Sequence, residues 1–366
     1  MRAKLADVHV VLDGQALVGG IPTGFGIYAG LVADALNLLT EQEQDFSHAV
    51  FKPVPATRPL ATVYQRILWE QFALPVLLSR VEQPSLLHSP CLGPPLFSPL
   101  SLVCTIHDLI LLDEKISAFF AREYFQRLIP FGWRRAKLIL TDTEQVCGQV
   151  IERLHFPENR VAALPLYSRY EGAEKRQQLP PGPPRFLLVG TVEPRKGFAT
   201  AIGALARLPH SLRNDVRLTI AGKRTPHTIE LLSLASQLSV QENVEFIDYQ
   251  AELDELYRQA TALIFPSEAE GFGLPPLEAM SLGVPVLLSD IEVLRETYAR
   301  VRDVENPGMF PVGSESALAN LMQQVIEDSS FAERLTRFGE LVAAELTRER
   351  FAAGLLAAYR RAAQKA

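Results

Sequence analysis

The sequence predicts an α/β protein of two doubly wound domains facing across a cleft, and three observations carry that prediction. Short runs that are apolar on both faces recur along the chain, as in parallel strands covered on both sides; Ala262-Leu263-Ile264-Phe265 is the clearest. Several of these runs pass through a glycine-rich or polar turn into a helical pattern, and the whole pattern restarts after mid-chain. At 366 residues the chain exceeds the size at which single cores stop growing, and a charged, Gln- and Pro-rich stretch from Tyr167 to Arg185 divides it. The expected boundaries are residues 1–170 for the first domain, 171–184 for the linker and 185–347 for the second, with 348–366 as a terminal helical segment.

In the first half, Val8 to Asp13 reads as a strand, followed by Gly14, Gly19, Gly20, Gly24 and Gly26 before a helix from about Gly26 to Leu39. Strand, glycine-rich loop and helix N-terminus together suit a phosphate contact, although a flexible turn would look the same. Val50 to Val54 reads as the second strand and Pro53 to Pro59 as a loop. Tyr64 to Leu78 has apolar residues at helical spacing, which puts Trp69 and Phe72 in the core. Ser85 to His88 and Leu102 to Ile106 read as buried strands. The second of these ends in His107-Asp108-Leu109, at the strand end where open α/β sheets bind ligands. Asp108 suits an orienting or capping role, Lys137 to Thr141 a strand, and Asp142 or Thr143 the cap of the next helix; Val161 to Leu164 closes the half.

In the second half, Phe186 to Val189 is a strand leading into Gly190-Thr191-Val192-Glu193-Pro194-Arg195-Lys196-Gly197 and a helix. Adjacent cations at such a junction can clamp a diphosphate, Arg195 by its fork and Lys196 as a point charge. Arg217 to Ala221 is the next strand, with Gly222-Lys223 at its end, and Val244 to Ile247 follows; Leu253 to Ala260 is a short helix. After Phe265 comes Pro266-Ser267-Glu268-Ala269-Glu270-Gly271-Phe272-Gly273-Leu274-Pro275-Pro276-Leu277-Glu278, a turn that opens a helix whose first turn accepts the two prolines. Gly271 and Gly273 let the backbone approach a ligand, and Glu270 and Glu278 reach it from different elements. Carboxylates beside exposed amides suit a sugar nucleotide, whose hydroxyls donate and whose diphosphate accepts. Val284 to Ser289 is a strand with Asp290 as the following cap; Leu318–Val325, Phe331–Leu346 and Arg348–Ala363 are amphipathic helices.

Composition narrows the function class. An apolar share of 48% with 21% charge is that of an ordinary globular protein, and a formal net charge of −6 without a basic stripe excludes a nucleic-acid partner. The basic clusters Arg134-Arg135 with Lys137 and Arg360-Arg361 admit peripheral contact with an anionic membrane surface, or are solvated helix faces. No apolar run reaches transmembrane length, and the first strand starts too early for a signal peptide. Cys91, Cys104 and Cys147 lack metal-ligand spacing and fit a reduced compartment, so the expected location is cytoplasmic, at most at the inner face of the membrane.

The Glu270-to-Glu278 stretch, with Gly283-Val284-Pro285-Val286 after it, resembles the signature of glycosyltransferase family 4, the retaining GT-B enzymes that include bacterial mannosyltransferases. The resemblance covers nearly the whole chain. Gly190-x-x-Glu193-Pro194-Arg195-Lys196 is similar to the family's pyrophosphate segment, with Gly197 where Asn is frequent. Thr23-Gly24-Phe25-Gly26-Ile27-Tyr28 resembles its T-G-I-G-R-Y loop beside the diphosphate, departing at Ile27, and His107-Asp108-Leu109 resembles the H-D-L of mannosyltransferase-like members. The resemblance implies transfer of a hexosyl group from a nucleotide-diphosphate sugar to a hydroxyl acceptor (a glycan, lipid carrier or small molecule) without a metal or other cofactor. It implies GDP-mannose as donor, with a UDP-sugar as the alternative and a noncatalytic nucleotide-binding subunit as the reading from another class. His107, Arg195, Lys196 and Glu270 would act at the reacting centre. Gly24, Gly26, Lys223, Gly271, Phe272, Gly273, Leu274 and Glu278 would hold the donor, Glu278 through the ribose hydroxyls. The terminal segment 348–366 resembles the family's helix that crosses back to the first domain. No two Asp residues stand two apart, so the usual metal-binding pair is missing from the sequence.

Overall fold

The computed structural model describes residues 8–18, 24–53, 63–81, 85–91, 93–113, 122–178, 181–248 and 253–364. Its residues form two compact units, the first of Met1–Leu166 with Arg348–Ala366, the second of Tyr167–Thr347.

The first unit is a six-stranded parallel sheet of β1 (Val8–Asp13), β2 (Phe46–Phe51), β3 (Ser85–Ser89), β4 (Ser101–Ile106), β5 (Leu138–Thr141) and β6 (Val161–Ala163), in the order β2-β1-β3-β4-β5-β6. Strand β2 starts earlier than the apolar run suggests. It pairs Val8 with Phe46 through Asp13 with Phe51, so Ser47 and His48 lie inside it. An edge strand with partly exposed side chains tolerates such polar residues, which is why the pattern misled; the expected end at Val54 and the loop to Pro59 lie outside the described residues beyond Pro53.

The helix Gly24–Gln42 buries Tyr28, Leu31, Val32, Ala35, Leu36 and Leu39, a single stripe at helical spacing. A second helical run is continuous through Val63–Leu68, Trp69–Ala73 and Leu74–Leu78, its middle segment wound wider. Trp69, Leu74 and Leu78 are buried, as the spacing predicts for that face, but Phe72 is 64% exposed. Phe72 therefore does not belong to the core; the run is apolar on two rows, and only one of them packs.

A buried polar knot fixes this run to the end of β1. The Trp69 indole donates to Asp13 Oδ1 at 2.8 Å, Gln15 Nε2 donates to Asp13 Oδ2 at 3.0 Å and to Glu70 Oε1 at 2.9 Å, and the Tyr124 hydroxyl donates to Glu70. Burial pushes the Asp13 carboxyl up to about 6, against the opposing hydrogen bonds from Trp69 and Gln15, and raises Glu70 well above the usual range.

The C-terminal helix Arg348–Gln364 completes this unit, burying Phe351, Leu355 and Tyr359. Tyr359 and His88 Nδ1 are hydrogen-bonded at 2.7 Å, His88 Nε2 and Thr105 at 2.9 Å, and Thr105 and Tyr28 at 2.8 Å, which links four elements through one buried chain. Burial pushes the His88 ring down to about 3, with nearby His107 adding to the effect, so it stays neutral. Arg360 is engaged by Glu43 and Asp45, and Arg361 by the Asn159 carbonyl. The Arg360-Arg361 pair thus holds the helix in place and is not a free basic patch.

The second unit comprises β7 (Arg185–Val189), β8 (Arg217–Ala221), β9 (Val244–Ile247), β10 (Ala262–Phe265), β11 (Val286–Ser289), the short antiparallel pair β12 (Arg300–Val301) and β13 (Val304–Glu305), and β14 (Met309–Phe310). Its main sheet runs β14-β11-β10-β7-β8-β9, parallel throughout. Phe186, Leu188, Ile220 and Ile264 meet Phe198, Ile202 and Leu205 of the helix Phe198–Arg207 in one continuous core. Asp290 does not cap the next helix: Glu292–Tyr298 begins at Ile291 without a side-chain cap, and Asp290 is drawn instead to Arg295 at 2.8 Å. Among the described residues no helix is long and apolar enough to cross a membrane.

The hydrogen-bond chain through His88 yields a first test. Tyr359→Phe leaves one buried partner unmatched and is expected to cost about 1–3 kcal/mol, read as a fall in melting temperature. An unchanged melt would mean that the Tyr359 hydroxyl contributes nothing to holding the helix, leaving its apolar face and the Arg360 and Arg361 contacts to do so.

Candidate functional site

In the second unit the strand order reverses between β7 and β10, the place where doubly wound sheets open a crevice at their strand ends. The loops that leave these strands carry the two motifs singled out above, and they are interlocked. Gly197 has φ +64°, and a Cβ there would stand 2.0 Å from the Pro266 carbonyl oxygen, so Asn does not fit where this chain has Gly. The Glu268 amide donates to the Arg195 carbonyl at 2.8 Å. Gly222, at the end of β8, closes on Gly190 so tightly that a Cβ would lie 1.8 Å from its carbonyl. Lys223 is exposed while its carbonyl accepts from the Val192 amide at 3.0 Å, so its backbone is fixed and its ammonium reaches outward.

This interlock brings Arg195, Lys196 and Glu270 together. Lys196 Nζ donates to Glu270 Oε1 at 2.6 Å and stands 5.5 Å from the Phe265 ring centroid. Arg195 Nη1 donates to the Ala269 carbonyl at 3.1 Å and lies 3.7 Å from Glu270 Oε2, while its Nε donates to Glu193 at 3.0 Å. Gly271 and Phe272 are buried beneath the turn, with the Phe272 ring edge-on to Tyr298 at 6.1 Å. Gly273 has φ +91°, and its carbonyl accepts from the Tyr298 hydroxyl at 2.7 Å. The helix Leu274–Ser281 starts there. Because Pro275 and Pro276 have no N–H, the donors its first turn can offer narrow to Gly273 and Leu274.

Glu278 sits deeper, only 2% exposed. Its Oε2 accepts from the Tyr257 hydroxyl at 2.8 Å, and its Oε1 lies 2.8 Å from Arg169 Nε as an ion pair whose angle is not that of a hydrogen bond. Burial raises its pKa, and Arg169 and Tyr257 hold part of that rise back. Arg169 also stacks over Tyr170, 4.8 Å from the ring centroid. Sequence reasoning missed Arg169, Tyr257 and Tyr298. The one available signal was chemical: a carboxylate on an otherwise apolar helix face needs a cation, and Arg169 stands at the start of the charged stretch.

In the first unit the order reverses between β1 and β3, and His107 leaves β4 on the same sheet edge. Its Nδ1 is 2.7 Å from Asp142 Oδ2 and its Nε2 is 3.1 Å from the Pro90 carbonyl. Both partners can only accept, so both nitrogens are matched only when the ring carries two protons. Burial lowers the His107 pKa, but the Asp142 charge and hydrogen bond, with the Pro90 carbonyl and Asp108, outweigh it and the net shift is upward. Tyr28 packs edge-on at 4.4 Å and Phe25 lies at 5.4 Å between ring centroids. Gly24 and Gly26 form the first turn of their helix, Gly24 with open space around it, whereas Gly26 is buried; Thr23 lies outside the described residues. Asp108 accepts from the Ile110 amide at 3.0 Å, and Thr143 is the cap of the helix Glu144–Leu154, which leaves Asp142 to His107. Asp142 Oδ1, buried, has no hydrogen-bond partner among the described residues.

The upward shift of His107 sets a pH dependence. A ring whose folded pKa lies above 6.5 contributes stability that is complete below about pH 6.5 and is lost as the pH rises through the folded value. Melts from about pH 6 to about pH 9 are expected to show that loss in the wild type and a flatter profile in Asp142→Asn. Parallel profiles for the two proteins would remove Asp142 as the cause.

Residues 171–342 match the family described as glycosyl transferases group 1. The chain is 28% identical over 298 residues to the O-antigen chain mannosyltransferase B of Escherichia coli, covering 73% of each protein. It is 35% identical over 126 residues to the lipopolysaccharide glucosyltransferase WaaG of Escherichia coli K12, 34% of this chain and 32% of that protein. The solved sucrose-phosphate synthase of Thermosynechococcus elongatus superposes with a TM-score of 0.73 at 20% identity, over 98% of this chain and 100% of that one. Two parallel doubly wound sheets, the interlocked loops at the second switch point and the family match over that same unit lead to one conclusion: the chain has the GT-B fold, and its residues 171–342 form a group 1 glycosyltransferase domain.

Proposed function

We propose that this protein is a retaining, metal-independent hexosyltransferase that moves mannose from GDP-mannose to an acceptor hydroxyl on a glycan, lipid carrier or small molecule, working in the cytoplasm at the inner face of the membrane. The observation that carries the reading is the convergence of Arg195, Lys196 and Glu270 on the two loops at the switch point of the second unit. In the reaction the bond from the anomeric carbon to the diphosphate oxygen breaks and a bond from that carbon to the acceptor oxygen forms. The diphosphate leaves with the electron pair, and its oxygen takes the acceptor proton. Arg195 and Lys196 meet the charge that develops on it, together with the Gly273 and Leu274 amides of the same unit.

Glu270, already on Lys196, accepts from the sugar hydroxyls. Glu278 accepts from the ribose hydroxyls through the lone pairs that Tyr257 and Arg169 leave open. Lys223 lies toward the base, with Gly271 and Phe272 shaping the turn that the sugar meets. On the first unit His107 does not act as a base, since both its nitrogens face acceptors. No cofactor enters this scheme, because protein cations take the part that a divalent metal plays elsewhere.

Mannose is supported by the likeness to the O-antigen mannosyltransferase over most of both chains and by the His107-Asp108-Leu109 motif. The likeness to WaaG, higher in identity but confined to a third of each chain, favours a second reading with a glucosyl donor such as UDP-glucose.

Melts with GDP and with UDP separate the two. A nucleotide at about 100 times its dissociation constant adds about 2.7 kcal/mol of stability, and GDP is expected to give the larger shift. Lys196→Ala is expected to reduce transfer by roughly 10²- to 10³-fold, measured as product formed per enzyme. EDTA is expected to leave the rate unchanged, and the product is expected to keep the donor's anomeric configuration by NMR. A larger shift with UDP replaces the donor, loss of activity in EDTA removes the metal-independent scheme, and an inverted product removes retention.

A further inference from the structure

The described residues of the first unit expose seven large apolar side chains, and all seven lie on three neighbouring segments. Tyr64, Leu68, Phe72 and Val76 stand four residues apart along the outer row of the helical run, the spacing of neighbours on one helical face. Phe97 is the most exposed, at 76%, and Leu128 and Phe131 are the remaining two.

The three segments are joined. Gln71, beside Phe72, donates to the Pro94 carbonyl at 3.1 Å and accepts from the Leu96 amide at 2.8 Å. A Cβ at Gly132 would stand 2.9 Å from the Pro94 ring, so the helix Ile129–Arg134 rests on that loop. The Arg135 guanidinium lies 5.7 Å from the Phe97 ring centroid. The knot of Asp13, Gln15, Glu70 and Tyr124 ties the inner sides of the first and third segments together, so the outward row is presented by a braced surface.

The charge on the same segments is opposite to that of the whole. Residues 63–80, 93–99 and 122–137 hold seven cations (Arg66, Arg80, Arg122, Arg127, Arg134, Arg135 and Lys137) against Glu70 and Glu123, in a chain of net charge −6. Glu70 is buried in the knot, and Glu123 is paired with Arg127 at 2.8 Å. An apolar row rimmed by cations, with no other carboxylate on these segments, is complementary to an anionic lipid bilayer: the rings enter the interface and the cations meet the headgroups.

From this we infer that the first unit docks on an anionic membrane through the face formed by Tyr64, Leu68, Phe72, Val76, Phe97 and Phe131 with Arg134 and Arg135. The inference gives a surface to the membrane placement within the proposed function and rests on that placement alone, not on the identity of the donor.

The test is sedimentation of the full chain with vesicles of phosphatidylcholine alone and with phosphatidylglycerol added, beside the nucleotide-induced melt shift as a separate readout. Wild type is expected to sediment with the phosphatidylglycerol vesicles, and to be released as salt shortens the Debye length. Phe72→Ser with Phe97→Ser is expected to abolish sedimentation, and Arg134→Glu with Arg135→Glu to weaken it by about fivefold or more per cation, both with an unaltered nucleotide shift. Binding equal on the two vesicle types, or binding that survives both double substitutions, overturns the inference. So does a wild type that forms dimers by light scattering, stays off vesicles, and becomes monomeric with Phe72→Ser and Phe97→Ser, because the face then belongs to a second copy. A wild type that sediments without any nucleotide shift leaves the docking face in place and removes the proposed donor site instead.

Discussion

The second unit depends on a contact between two backbones. Where Gly197 meets the Pro266 carbonyl there is no room for a side chain, and the Glu268 amide reaches across to Arg195 in the same place. The loop after β7 can therefore take only one position against the loop after β10. That position decides where Lys196 and Arg195 point and which carboxylate they meet. Flexible cations in water would spend much of their time elsewhere; held by neighbouring backbone, they lose that freedom on folding and not on binding.

In both units a buried carboxylate is met from several elements at once. Glu278 has Tyr257 on one oxygen and Arg169 beside the other, and Asp13 accepts from Trp69 and Gln15. An unmatched carboxylate at these depths would cost several kcal/mol, so each partner is required once the carboxylate is there. The two histidines of the first unit show how neighbours set protonation. His88 lies between hydroxyls that both donate and accept, and burial keeps it neutral; His107 lies between a carboxylate and a carbonyl, which favour the charged ring.

Much of the fold could be read directly. Strands β1, β8, β9 and β10 begin and end where their apolar runs do, and the prolines at 275 and 276 mark the helix start. Those signals are local, and local physics enforces them. The failures share a different cause. Phe72 repeats at helical spacing like Trp69, but spacing alone does not tell which of two apolar rows has a sheet beneath it. Ser47 and His48 conceal an edge strand because one side of that strand needs no core. Asp290 stands at a cap position yet is taken by Arg295, and Arg360 looked like surface charge until Glu43 and Asp45 met it from the far end of the chain. The partners of Glu278 and His107 were equally out of reach, since Arg169 and Asp142 are brought to them by the fold and not by proximity in the chain.

The helix Arg348–Gln364 belongs to the first unit although the whole second unit precedes it in the chain. During synthesis the ribosome finishes residues 167–347 before it makes Phe351, Leu355 and Tyr359, whose side chains fill the first unit's core. Until that helix packs, the earlier-made sheet exposes the apolar surface that the helix covers. The core of the unit begun first is therefore closed only by the segment that is made last.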